Sequence, residues 1–159
     1  MQLTIVIRKV NRENSSCIKT VKSLRNKEIE LKDIIFIDKL TDIDYGMIKS
    51  DWWIVLHDDE YIEDRLIPAI IMGSKCDRYD AFSFYKRDKE HKVTLCPRMF
   101  RKGVKLESEF LYPIMPVRIE TLLDGWVEEH DLKVLSNDQD AGIQQGEIES
   151  SMAESRQSL

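Results

Sequence analysis

Three short, dominantly apolar runs constrain what this chain can fold into: the β-branched LTIVIR (3–8), in which only Thr4 and the final Arg8 are polar, IIFI (34–37) and WWIVL (52–56). A strand with one wet face alternates apolar and polar residues, so runs that are apolar at successive positions suit strands covered on both sides, the situation in a parallel sheet. The connections agree, because 25 residues (9–33) and 14 residues (38–51) separate the runs. Each is long enough for a crossover between parallel neighbours. Cys17, Ile18, Val21 and Leu24 have helical spacing behind the capping candidates Asn14 and Ser15. After the third run, Leu66, Ile67, Ile70 and Ile71 mark a second helix, closed by Gly73. The pattern reads β-α-β-x-β-α, an α/β domain built on a parallel sheet.

Later segments extend this reading. AFSFY (81–85) and VTLC (93–96) flank the charged stretch KRDKEHK and suit a hairpin or a pair of edge strands. Ile119, Leu122, Leu123, Trp126 and Val127 fall at i, i+3, i+4, i+7 and i+8 behind Pro116, which predicts a helix with Trp126 in the core. From residue 136 to 159 apolar residues are scattered without period, so this stretch is expected to be a flexible tail. A length of 159 residues allows one domain, here 1–135, followed by that tail.

The tail holds five acids against one base and so carries −4 of the chain's net −5, which leaves −1 for residues 1–135. The body is therefore near neutral, and within it residues 8–27 and 86–105 each carry +6. Such segments suit either solvated loops or contacts to a phosphate-bearing partner. Cys17, Cys76 and Cys96 are odd in number and far apart, a pattern that indicates neither a disulfide framework nor a zinc knuckle. No apolar run approaches the roughly 18 residues of a membrane span, and the first apolar stretch precedes its charges, the reverse of a secretory signal. A cytoplasmic location is expected.

In an open α/β sheet ligands bind beyond the carboxyl ends of the strands. Those positions are polar after all three runs: Arg8, Lys9, Asn11 and Arg12; then Asp38, Lys39, Thr41 and Asp42; then His57, Asp58, Asp59 and Glu60. Parallel neighbours would bring these groups to one edge. A basic group, a lone acid and a carboxylate cluster suit a nucleotide, since carboxylates take Mg²⁺ or Mn²⁺ and a metal neutralises a diphosphate.

TIVIRKVNREN, IIFIDKLTD and WWIVLHDDEYI, in that order and each at its strand end, resemble the nucleotide-binding half of the family 2 glycosyltransferases of GT-A fold. CPRMFRKG (96–103) further resembles an Arg-Leu-Phe-Arg-Lys-Gly stretch of some bacterial members. The likeness covers roughly residues 1–106. It implies a GT-A-like, Rossmann-like, mostly parallel sheet flanked by helices, with an abbreviated acceptor half. It also implies transfer of a sugar from a UDP-sugar-like donor to a hydroxyl acceptor, with inversion and with Mn²⁺ or Mg²⁺. The acceptor would be a glycan, a lipid-linked sugar or a modified DNA base.

By that resemblance Asp38 faces the nucleoside and Asp59 is the metal-binding acid. His57 stands where a first Asp is expected, and Asp58 could supply the missing carboxylate. Arg8, Asn11, Arg12, Asp58, Arg98 and Arg101 are the remaining candidates for nucleotide contacts. Glu107 and Glu109 are candidates for the base that takes the acceptor proton. Two other readings accompany this one. The first is a non-catalytic module of the same kind that binds a nucleotide or a protein, and the second is a phage-type enzyme that glycosylates a hydroxymethylated base.

Overall fold

The structure is a computed structural model that describes residues 1–10 and 15–129. Seven strands form one sheet: β1 (Gln2–Arg8), β2 (Glu30–Ile37), β3 (Trp52–His57), β4 (Glu60–Ile62), β5 (Ala81–Arg87), β6 (Val93–Arg101) and β7 (Ile119–Glu129). Helix α1 (Ser15–Ser23) connects β1 to β2, and α2 (Leu66–Ser74) follows β4. The strand order is β2-β1-β3-β6-β5-β7-β4.

The first half follows the apolar runs. β1 lies parallel to both β2 and β3, with Leu3, Ile5 and Ile7 in one core and Val6 in the other. Trp52, Ile54 and Leu56 likewise join the first core, while Trp53 and Val55 join the second. The central residues of β1 and β3 are apolar, save Thr4, which bonds to Ser50, because both faces of these strands are covered. Helices cover only one of them: α1 and α2 pack in the first core, whereas the second is closed by Leu40, Ile43 and Ile48 of the β2–β3 connection and by Val104 and Leu106.

The second half overturns the expected helix-flanked, mostly parallel GT-A-like sheet. Three of the six strand pairings are antiparallel, β3–β6, β4–β7 and β5–β6, and the described residues contain only two α-helices. The β2–β3 connection holds two 3₁₀ turns, Leu40–Asp42 and Tyr45–Met47, in place of a helix. The sheet also curls into a half-barrel. β3 and β4 are joined by two residues, yet they sit four strand spacings apart, about 19 Å in a flat sheet. Three residue steps span at most roughly 11 Å, so a flat arrangement would tear the chain.

The helix predicted behind Pro116 is also overturned, because that segment forms β7. Phe84 pairs with Leu122, and the next rung, Tyr85, pairs with Trp126. Leu123, Asp124 and Gly125 are extruded between those rungs, so a period-2 strand with an inserted bulge imitates the i, i+3, i+4, i+7 spacing of a helix. The bulge presses onto the start of α2, where a Cβ on Gly125 would stand 2.7 Å from the Leu66 backbone nitrogen. Gly73, read as a helix terminator, lies inside α2 and gives room to the Phe82 ring. The tail from 136 onward lies outside the described residues.

Candidate functional site

The register of the parallel trio sets Arg8 opposite both Ile37 and His57, so the three carboxyl ends finish flush. The chain beyond them is laced together. Lys9 N–H donates to Ile37 O at 2.8 Å, Asp58 N–H to Arg8 O at 3.0 Å, and Arg8 Nε to Asp38 O at 3.4 Å. Asp58 is fully buried, and its Oδ1 accepts from Val10 N–H at 3.1 Å. That carboxylate therefore fixes the path of the chain after β1.

Asp59 differs. Its Oδ1 is buried and has no hydrogen-bond partner among the described residues. Burial, then the negative charges of Glu60, Glu129 and Asp58, push its carboxyl up to about 6, against the opposing pull of Lys86. A buried oxygen without a donor is costly, and a proton or a cation would satisfy it.

A buried ion network supports this turn from below. Glu60 receives Arg98 in a two-pronged contact, Nη1 to Oε1 at 2.7 Å and Nη2 to Oε2 at 2.9 Å, and it also meets Lys86 Nζ at 2.7 Å. The Glu60 Oε1 atom accepts from His57 N–H at 2.7 Å, closing the turn. Thr20 of α1 donates to Glu60 O, which staples the helix to the same turn. Burial alone would raise the Glu60 carboxyl, but the Arg98 guanidinium and Lys86 outweigh it and hold the group well below the usual range. Burial lowers His57 to about 4, with help from Arg98, Lys86 and Arg8 against Glu60, so its imidazole is neutral near pH 7.

The expected residues thus divide. Arg8, Asp38, His57 and Asp58 come together at the carboxyl edge, whereas Asp59, next in the turn, turns its carboxyl toward Glu60, Glu129 and Lys86. Glu109 reaches the chain just past β2, where its Oε1 accepts from Thr41 Oγ1 at 2.8 Å. Glu107 lies in the same exposed turn. Arg98 is buried and committed to Glu60. Arg101 lies at the opposite end of β3, paired in register with Trp52, stacked over its ring and donating to Cys76 O and Tyr79 O at 2.8 Å. Five residues of strand, about 17 Å, separate that position from His57. Asn11 and Arg12 lie outside the described residues.

Lys86 was not among the expected site residues, and Glu60 was expected only as part of the carboxylate cluster after the third run; no local pattern pairs either of them with Arg98. Glu60 meets Arg98 only through contacts made 38 positions away in the chain.

As for a metal, no group of three or more His, Cys, Asp or Glu side chains among the described residues is arranged to hold one. Of the expected ligands, Asp58 is held by Val10 and His57 is half-buried between Glu60 and the cations Arg98, Lys86 and Arg8, which leaves the unpartnered Asp59 oxygen. Mg²⁺ commonly takes one or two carboxylates together with substrate phosphates, and Asp59 fits that mode. Three cavities bounded by described residues lie at other places, and none of these is lined by Arg8, Asp38, Asp58 or Asp59. No helix among the described residues is long and apolar enough to cross a membrane. The chain matches no protein-family model and no curated protein.

Proposed function

We propose that this chain is a glycosyltransferase that binds a nucleotide-sugar donor at the carboxyl edge of β2, β1 and β3. The observation that carries the reading is the convergence there of Arg8, Asp38 and Asp58, with one buried oxygen of the adjoining Asp59 left unpartnered. The order of the three strand-end motifs, which resembles that of family 2 glycosyltransferases, points the same way.

In this reading Asp38 accepts hydrogen bonds from the ribose or base, and the Arg8 guanidinium lies beside the diphosphate. The acceptor hydroxyl oxygen bonds to the anomeric carbon as the bond to the phosphate oxygen breaks, and the electron pair leaves on the nucleoside diphosphate. Glu107 or Glu109 takes the hydroxyl proton. Mn²⁺ or Mg²⁺, when bound, supplies charge neutralisation for the diphosphate, and Asp59 would hold it. Attack from the face opposite the departing diphosphate inverts the anomeric centre.

Calorimetric titration with UDP and UDP-sugars, with and without Mn²⁺, tests this on the wild type and on Asp59→Ala. Metal-enhanced binding that the variant loses supports the assignment, and equal affinity in both proteins removes it. A second reading, a nucleotide-binding module without catalysis, is favoured by the commitment of Asp58 to Val10 and of Arg98 to Glu60. Binding without donor hydrolysis or transfer would identify it.

A further inference from the structure

Between β6 and β7, in the segment that holds Glu107 and Glu109, the chain also presents an apolar ridge to which the transfer chemistry assigns no role. Residues 105–114 fold back on themselves: Ile114 N–H donates to Lys105 O at 2.8 Å, Glu107 N–H to Tyr112 O at 2.8 Å, and Leu106 bridges Pro113. Successive residues of such an extended segment face opposite ways. Leu106, Leu111 and Pro113 turn inward, which leaves Phe110 (65% exposed), Tyr112 (57%) and Ile114 (55%) on the outward side, with Met115 (66%) beside them. Residues 110–117 carry no charge. An ordered ridge of large apolar side chains costs free energy in water and marks a surface that something covers.

What covers it is indicated by the cavity at its foot, about 400 Å³ in volume. Its lining combines the basic residues Arg101, Lys102 and Lys105 with the apolar Val104, Ile114, Pro116 and Val117. The acid in the lining, Asp80, is neutralised by Arg118, which grips both of its carboxylate oxygens at 3.1 and 3.2 Å, and Arg101 Nε lies 3.8 Å from the same carboxylate. The cavity therefore combines net positive charge with apolar surface. An anionic amphiphile has that pair of properties. Phe and Tyr rings beside lysines also suit the boundary between headgroups and acyl chains, where apolar bodies bury and polar tips stay wet.

We infer that this face docks on an anionic bilayer, with Phe110, Tyr112, Ile114 and Met115 entering the interface and Lys102 and Lys105 receiving a lipid headgroup phosphate. The inference stands apart from glycosyl transfer and holds whether or not the chain is an enzyme.

Co-sedimentation of the full chain tests it with vesicles of phosphatidylcholine mixed with phosphatidylglycerol, and with vesicles of phosphatidylcholine alone. The mixed vesicles should retain the protein and the neutral ones should not, and raised salt should release it. Lys102→Ala and Lys105→Ala should each weaken partitioning roughly fivefold, the effect of one basic residue at a charged surface. Phe110→Ser/Ile114→Ser should abolish it with an unchanged unfolding midpoint, since both side chains are exposed. Several outcomes would overturn the inference: no partitioning, equal partitioning to both vesicle types, or variants that bind like the wild type. So would binding of inorganic phosphate without vesicle binding, which makes the cavity a small-anion site. A concentration-dependent dimer lost in Phe110→Ser/Ile114→Ser, again without vesicle binding, would assign the ridge to a second copy of the chain.

Discussion

Replacing Arg98 by methionine removes the guanidinium from beneath the site turn while keeping an unbranched apolar stem in its place. Glu60 is fully buried and Arg98 is 3% exposed, so the loss leaves a carboxylate in a low-dielectric interior. Breaking a buried pair from one side typically costs 3–5 kcal/mol. Here Glu60 keeps Lys86 at 2.7 Å and the His57 N–H at 2.7 Å, which places the expected cost near the lower end, about 3 kcal/mol. That is a large share of the 5–15 kcal/mol that holds a typical domain together.

Urea unfolding followed by tryptophan fluorescence can measure this loss, because Trp52 and Trp53 lie in the two cores. Arg98→Met/Glu60→Gln should recover more than half of it, since the glutamine carbonyl still accepts from His57 and no net charge stays buried unpaired. The pH dependence has a definite sign. A carboxyl held low in the folded state adds stability above its unfolded pKa of about 4.3, and that stability is lost as pH falls through the folded value. Wild type should therefore weaken below about pH 4. In Arg98→Met the cause of the depression is gone, and this contribution should shrink or reverse. A loss under about 1 kcal/mol in the single variant, or a double variant no better than the single, would refute the reasoning.

Other outcomes follow from the same geometry. Asp59→Asn should stabilise the unliganded protein at pH 7 by roughly 1 kcal/mol, discounted for its partial exposure. The carboxyl raised to about 6 penalises folding as pH rises from about 4 to 6, and chemical denaturation across that window should show the penalty vanish in the variant. Gly125→Ala should cost about 2 kcal/mol by thermal or urea unfolding, because the new methyl meets the Leu66 backbone at 2.7 Å and neither segment can yield freely. Asp58→Ala should cost about 1 kcal/mol by freeing Val10 N–H and should also weaken UDP binding by loosening the chain after β1, whereas Asp58→Asn, which keeps an acceptor oxygen, should retain most of both.

The sequence carried the local grammar of the first half and lost the long-range grammar of the second. LTIVIR, IIFI and WWIVL could be read because two-sided burial leaves a mark at every residue, and from three parallel strands the meeting of Arg8, Asp38 and Asp58 follows. β7 could not be read, because a three-residue bulge shifts its period into that of a helix. The place of β4 at the far edge, next to β7, depends on pairing Ile62 with Val127, 65 positions later, and a three-residue strand has no signature of its own. The same distance effect hid the Glu60–Arg98–Lys86 network. Arg98 was a candidate nucleotide contact by the resemblance of CPRMFRKG, but it lies within β6 and its guanidinium is spent on the buried Glu60.

The claim on which the functional account rests is that the carboxyl edge of β2, β1 and β3 is the nucleotide site. Amide chemical-shift mapping of the isotope-labelled full chain during titration with UDP tests it most directly. The account expects the largest changes at Arg8, Lys9, Asp38, Asp58 and Asp59. Changes confined to the amino end of β3 around Arg101 and Lys102, or to the Lys19–Tyr61 surface of α1 and β4, would contradict it, as would no change at saturating UDP.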